Sequence, residues 1–435
     1  MTGLSVHPSP LRTSLLLQGG LYLLVASIPF EYPERSIPLE IPTITAAIFL
    51  LATLFHPSRC YGWLPPAVLW FAVYLLAFLL STVTAGEHVV EALSEFVIVL
   101  QGVLVLLAAG GLMREERIAT RAMMVLTAAC AVRAALPFLG LAKTTSAVWT
   151  GGERVSALGQ NANSAAMILA AGLVALIGLA YAHRSRNRWR LILTAALGTL
   201  LGIAILETGS RGGLAAALGG VLVFALAADS LRARLRNATI GALAISLLIL
   251  GTLHVPMMRN RLEDSVRTGN LAGRELLYPA LWTMFLEKPV LGWGPVTNTY
   301  EVALRIGERE RPSRAAHNIG LELLTATGLI GAVPFFLGAW LCARSAWRAR
   351  REAHGVLPFA LLCSVLISNM SGDWIASKLI WVVLAYALAS SRWAAATLQP
   401  RLVVAPAPSR VSYSRRIDAG AAALAAVPAT RRGDF

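Results

Sequence analysis

Long apolar runs, broken by short polar or basic segments, set the rhythm of this chain. A helix that crosses a bilayer needs about 20 predominantly apolar residues. By that measure the pattern predicts roughly twelve spans, near 12–30, 38–55, 64–83, 91–112, 117–137, 162–182, 190–206, 212–228, 237–255, 317–343, 355–370 and 374–391. The first run has one arginine ahead of it and Pro29 behind it without a small-residue cleavage site, so it is expected to remain as the first helix. Two connections are long. Residues 138–161 read as a medium loop, and 256–316 as a long one carrying nine basic and seven acidic residues. Within the long loop, 273–289 predicts an amphipathic helix opened by Gly273 and closed by Pro289. Leu276, Leu277, Leu281, Trp282 and Phe285 recur there at helical spacing, and Pro279 is a local break. Such a helix lies on the bilayer face or lids a cavity.

Charge then orients the spans. Arg59; Arg114, Arg117 and Arg121; Arg184, Arg186, Arg188 and Arg190; Arg232, Arg234 and Arg236; and Arg344, Arg348, Arg350 and Arg351 fall in alternate loops, as cytoplasmic loops require. Both termini are therefore expected in the cytoplasm, and the loops holding EYPERS, TAGEHVV, ETGSRGG and MSGD on the other side. The organisation expected is a membrane domain over 1–391, with 256–316 as its long outer loop or lid, and a basic, disordered cytoplasmic tail over 392–435.

Composition agrees. The 435 residues are 56% hydrophobic and 14% charged, which a soluble domain of this size does not show. Net charge is +15, and only Lys143, Lys288 and Lys378 among the 38 basic residues are not arginine, so arginine at any one place is weak information. Cys60, Cys130, Cys342 and Cys363 form no CxxC pair and suggest neither a disulfide framework nor a metal site. No HExxH or acidic DxD pair appears, so no metal ligands or cofactor are expected. Neither is a nucleic-acid partner.

The chemistry-bearing residues gather where helices start on the outer side: GQNANS, ETGSRGG, GRE in the long loop, RAAHN and SGD. His317 and Asn318 stand where a basic loop turns into an apolar helix. The positive first turn of that helix favours a neutral, proton-accepting imidazole and attracts phosphate, although a histidine there can also be a plain cap. Arg211 sits in a first turn, where a positive charge is unfavourable unless an anion joins it. Gly209, Gly212 and Gly213 would let backbone N–H groups turn toward that anion. A glycine-rich turn with a snorkelling arginine is the plainer account. Arg274 makes the same case more weakly, with Glu275 beside it. Gln160, Asn161 and Asn163 can bond sugar hydroxyls or cap a helix, and Asp373 reads as a cap. Glu31, Glu34, Glu91 and Glu95 lie at the outer edge, where one could replace His317 as a base. Arg133, Glu207, Glu322 and Lys378 are costly in lipid and are expected to face the bundle interior.

Taken in order, GQNANSAA, TGSRGG, GR, LGWGPVTN and AHNIGLELLTATGLIG resemble the signature of the O-antigen ligase and polymerase superfamily. The motifs cover about 150–345. The resemblance implies an all-α polytopic membrane protein, a GT-C-like glycosyltransferase in the bacterial inner membrane with its active site facing the periplasm. It also implies an undecaprenyl-diphosphate-linked glycan as donor and no metal. In length and layout the chain looks most like the ligases that use lipid A-core as acceptor. On this resemblance His317 is the catalytic base, Arg211 and Arg274 hold the diphosphate, and Gln160, Asn161, Asn163, Asn318 and Arg314 are possible glycan or acceptor contacts. Polymerases and protein-glycosylating ligases share the outline. A transporter, the alternative of another class, would show internal repeats and helices broken at the midplane. No repeat is visible.

Overall fold

The computed structural model describes residues 14–31, 40–147, 152–182, 187–227, 230–269, 273–308, 312–352, 354–372 and 375–398. The chain divides into two units, 1–397 and 398–435. All but Leu398 of the second lies outside the described residues, and so do Glu34, Asp373 and the predicted tail from 399 onward.

The helices are α1 (Leu15–Ser27), α2 (Ile41–Thr53), the short α3 (Pro57–Tyr61), α4 (Pro66–Thr82), α5 (Val89–Met113) and α6 (Glu116–Ala135). After a β-hairpin come α7 (Ala162–Ala182), α8 (Arg188–Glu207), α9 (Arg211–Leu226) and α10 (Leu231–His254). The long loop holds α11 (Pro256–Thr268), α12 (Arg274–Glu287) and α13 (Thr297–Arg305). The chain ends through α14 (Ile319–Arg348), α15 (Leu357–Ser368) and α16 (Lys378–Leu398). Among the described residues, six helical stretches are long and apolar enough to cross a membrane. The first, Pro66–Met113, contains both α4 and α5, and four shorter apolar helices accompany the six. The fold is that of a predominantly α-helical, multi-pass membrane protein.

Two departures from the sequence expectation shape the site. The 138–161 segment is not a plain loop: β1 (Ala142–Ala147) and β2 (Gly152–Ala157) pair antiparallel, with Thr144 opposite Val155 and Thr145 opposite Arg154. β-Branched residues such as Thr144, Thr145 and Val155, in short runs that glycines precede in the sequence, favour this pairing. In addition, α14 is interrupted at Gly328, which takes φ +61°. A Cβ there would overlap the Val290 carbonyl oxygen. The backbone of 289–294 runs across this break. Leu329 N donates to Pro289 O at 2.9 Å, Trp293 N to Thr325 O at 2.7 Å and Gly294 N to Ala326 O at 3.1 Å. The LGWG motif thus fastens the long loop to the bundle.

Trp293 completes the anchor. Its indole N–H donates to Met284 O at 2.8 Å, Lys288 Nζ lies 3.6 Å from its ring centroid, and Arg305, bound to Glu287 and Glu301, lies 4.9 Å from it. On the bundle side, α9 packs closely against α7 and α15 because it is rich in glycine; a Cβ at Gly213 would overlap Ala166. At the opposite end of α14, the buried His354 is a satisfied structural histidine, bonded to Thr120 Oγ1 at 2.7 Å and Tyr386 Oη at 2.6 Å.

Candidate functional site

The starts of α9, α12 and α14 come together around one turn, Asn369–Ser371, at the end of α15. Ile319 N donates to Asn369 O at 2.9 Å. Tyr278 Oη donates to Met370 O and to His317 O, each at 3.2 Å. Arg274 Nη2 donates to Ser371 O at 3.1 Å, and Gly212 backs directly onto Ser371 Oγ. One short turn therefore gathers the segments bearing Arg211, Arg274 and His317.

At Arg211 the sequence reading needs one correction. The backbone N–H groups of Gly209 and Gly213 are not turned toward an anion. Gly209 N bonds Leu206 O at 3.0 Å, and Gly213 N bonds the capping hydroxyl of Ser210 at 3.2 Å. The glycines serve close approach instead, to Ser371, Ala166 and the side chains of Met257 and Arg261. Arg211 itself reaches across to α11, where Nη1 donates to Ser265 Oγ.

Two arginines that sequence reasoning passed over join it. Arg154 on β2 is 8% exposed; its Nε donates to Thr208 O at 2.8 Å and its Nη2 to Asn163 Oδ1 at 2.8 Å. Burial, then the charges of Arg261 and Arg211, depress its guanidinium to about 10. Arg261 on α11 lies against Gly209. It too is lowered, first by burial and then by Arg211 and Arg274, with Asp264 opposing. Arg154 thus feels the charges of Arg211 and Arg261, and each of those feels that of Arg274.

Arg314 stands nearby, its Nη2 3.8 Å from where a Cβ of Gly273 would lie, and pairs with Glu308 at 3.6 Å. Arg261 Nη1, Arg274 Nε and Arg314 Nε are buried without a hydrogen-bond partner. Each such donor costs about 1–3 kcal/mol, and like charges packed together add to that. A diphosphate, with acceptors suited to the fork of a guanidinium, would offset both.

His317 is not the cap of α14. Asn318 is: its Oδ1 accepts from Gly320 N at 2.9 Å and Leu321 N at 3.1 Å. Pinned between that cap and the buried Ala316, His317 takes φ +51°, a left-handed conformation that costs a non-glycine residue about 1–3 kcal/mol and is concentrated at functional sites. It is half-buried, and Tyr278 holds its carbonyl.

The amides expected to meet the glycan have separate fates. Gln160 is 2% exposed and wholly engaged: its Oε1 accepts from Arg133 Nε at 2.7 Å and its Nε2 donates to Glu31 O. It is a structural bridge, not an open contact. Asn161 caps α7, with Oδ1 accepting from Asn163 N at 2.8 Å, and Asn163 orients Arg154. Of the alternative bases, Glu31 is 1% exposed and accepts from Ser377 Oγ at 2.5 Å and Lys378 N at 2.8 Å. Burial pushes its carboxyl up to about 7.

The fold and the site define a polytopic helical membrane protein with a cluster of arginines gathered at one end of its bundle. Residues 196–336, about a third of the chain, match the family described as O-antigen ligase, which supports a relationship to that superfamily. The matched stretch includes Arg211, Arg261, Arg274 and His317 and leaves out Arg154 and Asn163. No curated protein matches the chain.

Proposed function

We propose that the chain transfers an O-antigen polysaccharide from undecaprenyl diphosphate to the lipid A-core oligosaccharide, at the periplasmic face of the bacterial inner membrane with both termini cytoplasmic. The acceptor sugar hydroxyl gives its proton to the His317 imidazole as its oxygen bonds to the anomeric carbon. The bond from that carbon to the diphosphate oxygen breaks, its electron pair leaves with undecaprenyl diphosphate, and the configuration inverts. Arg211 and Arg274, joined by Arg154 and Arg261, stabilise the charge growing on the departing diphosphate, the task that metal ions perform in many transferases. Arg314, beside Gly273 at the start of α12, would contact the glycan next to the diphosphate.

The observation that supports this reading is the gathering of Arg154 and Arg261 about Thr208–Gly209, next to Arg211, and of Arg274 on the turn that also fixes the His317 segment, with Arg261 and Arg274 each holding a buried guanidinium N–H without a protein acceptor. The break in α14 weighs little toward a transporter, because the backbone of 289–294 bonds across it.

The test offers the purified chain a lipid-linked repeat together with lipid A-core, a second lipid-linked repeat and a pilin-like protein. Label on lipid A-core supports the ligase. Label on another repeat or on protein hydroxyls would make the chain a polymerase or a protein ligase, and flux into proteoliposomes without transfer would make it a transporter.

A further inference from the structure

A second recess lies beside the His317 segment, and its character is the opposite of the arginine cluster. It is a cavity of about 670 Å³, within the ~300–1,000 Å³ typical of small-ligand clefts. Ser313 and Glu322, which bracket His317 in sequence, both line it. More of the wall comes from α4, α5 and the start of α13, bringing Glu91, Glu95, Tyr74 and Tyr300, with further α14 residues and the segment just before α16 closing it, and no arginine lines it. Tyr74 and Glu95 lie well inside their helices, so the recess runs about 9–12 Å inward from the helix ends.

Two features point to a ligand. Tyr74 is 0% exposed, lines the cavity, and its hydroxyl has no hydrogen-bond partner. A buried hydroxyl left so is costly unless something that enters the cavity meets it. The wall is also a built one. Tyr300 is stacked on His88 with centroids 4.0 Å apart, and His88 lies 3.6 Å from Glu91. Glu322 accepts from Asn298 Nδ2 at 2.8 Å, and Thr297 Oγ1 ties the start of α13 to Ala85 O at 2.8 Å. Carboxylates as acceptors, hydroxyls of both kinds and aromatic side chains suit a hydroxyl-rich sugar. Three carboxylates in one recess repel phosphate.

We propose that this cavity binds an uncharged saccharide, the terminal sugars of the acceptor, while the diphosphate of the donor stays with the arginines. The inference rests on the transferase reading for the word acceptor. The site itself stands on the cavity's chemistry. Opposite charge on the two sides of the His317 segment sorts the substrates: the acidic side rejects the donor's diphosphate, and an acceptor sugar phosphorylated at its terminus is excluded from the same place.

The experiment measures binding, so that it does not depend on transfer. The full chain in nanodiscs is titrated with a neutral hexose trisaccharide and with the same trisaccharide bearing a terminal phosphate, followed by saturation-transfer NMR. The neutral probe is expected to bind and the phosphorylated one to bind about tenfold more weakly or worse. Glu95→Gln and Tyr300→Ala are each expected to weaken the neutral probe about tenfold, the size of one hydrogen bond to a charged acceptor or one lost stacking surface. Tyr74→Phe is expected to weaken it several-fold with an unchanged or higher melting temperature, because the removed hydroxyl has no protein partner. Tighter binding of the phosphorylated probe, or neutral binding indifferent to all three substitutions, overturns the proposal. Saccharide binding that responds as expected in a chain that transfers nothing would sink the transferase reading and leave the cavity assignment standing.

Discussion

The hydroxyl of Tyr278 donates to the backbone carbonyl of His317 across 3.2 Å. Tyr278 follows Arg274 by four residues, so one face of α12 carries the arginine proposed to bind the diphosphate and holds the residue proposed as the base. Tyr278→Phe keeps the ring and removes this tie. A hydrogen bond worth about 1 kcal/mol predicts a fall of about 3- to 10-fold in kcat with donor KM little changed. A loss confined to donor KM would show that Tyr278 serves the lipid donor instead.

Removing a general base costs about 10²–10⁴-fold in rate, and removing one charge-stabilising donor costs a similar amount. His317→Ala and Arg211→Ala are therefore each expected to leave lipopolysaccharide without O-antigen while the lipid-linked glycan accumulates. Gel analysis of lipopolysaccharide from complemented strains reads this directly. A normal O-antigen ladder with His317→Ala would remove the imidazole from the mechanism.

Gly328 adopts a φ that side chains rarely take, and a Cβ there would run into the Val290 carbonyl. Gly328→Ala is expected to destabilise the protein by more than the ~1–3 kcal/mol of backbone strain alone, since the ladder to 289–294 must also shift. Thermal unfolding in detergent checks it, and an unchanged melting temperature would mean that the long loop is not anchored at this break.

Glu31 predicts a pH dependence. Its carboxyl is raised in the fold from 4.5 to about 7, so the folded state favours the protonated form. The stability it contributes is complete below about pH 4.5 and is lost as pH rises through about 7, amounting to at most about 3 kcal/mol. Glu31→Gln should flatten melting temperature against pH over that window. An equally steep slope in the variant would assign the dependence to other groups.

The residues most legible in the sequence were those at helix starts. Arg211, Arg274 and His317 each interrupt a local rule, either a cation in a first turn or a polar residue at the edge of an apolar run, and the structure brings their segments to one turn. Arg154 and Arg261 broke no such rule. One lies on a strand whose alternation was submerged in a stretch read as loop, and the other on α11, where several charges resemble an ordinary solvated face. Only tertiary folding makes their charges converge. Gln160 misled for the complementary reason: an amide before a helix looks the same whether it meets a sugar or is buried on Arg133 and Glu31. Of the two readings open for His317, the plain cap belongs instead to Asn318, and His317, just ahead of it, takes a left-handed conformation that the sequence does not announce.

The claim on which the rest depends is that Arg154, Arg211, Arg261 and Arg274 form a single diphosphate site. Its most direct test is the dissociation constant of undecaprenyl diphosphate from the full chain in nanodiscs, measured for the unaltered protein and for the Arg154→Gln, Arg211→Gln, Arg261→Gln and Arg274→Gln variants. Loss of one charged hydrogen bond of about 1.5–3 kcal/mol predicts roughly 10- to 100-fold weaker binding in each, with double variants departing from additivity because the four share one ligand. Binding that is indifferent to Arg154 and Arg261, or double variants that add independently, would contradict it.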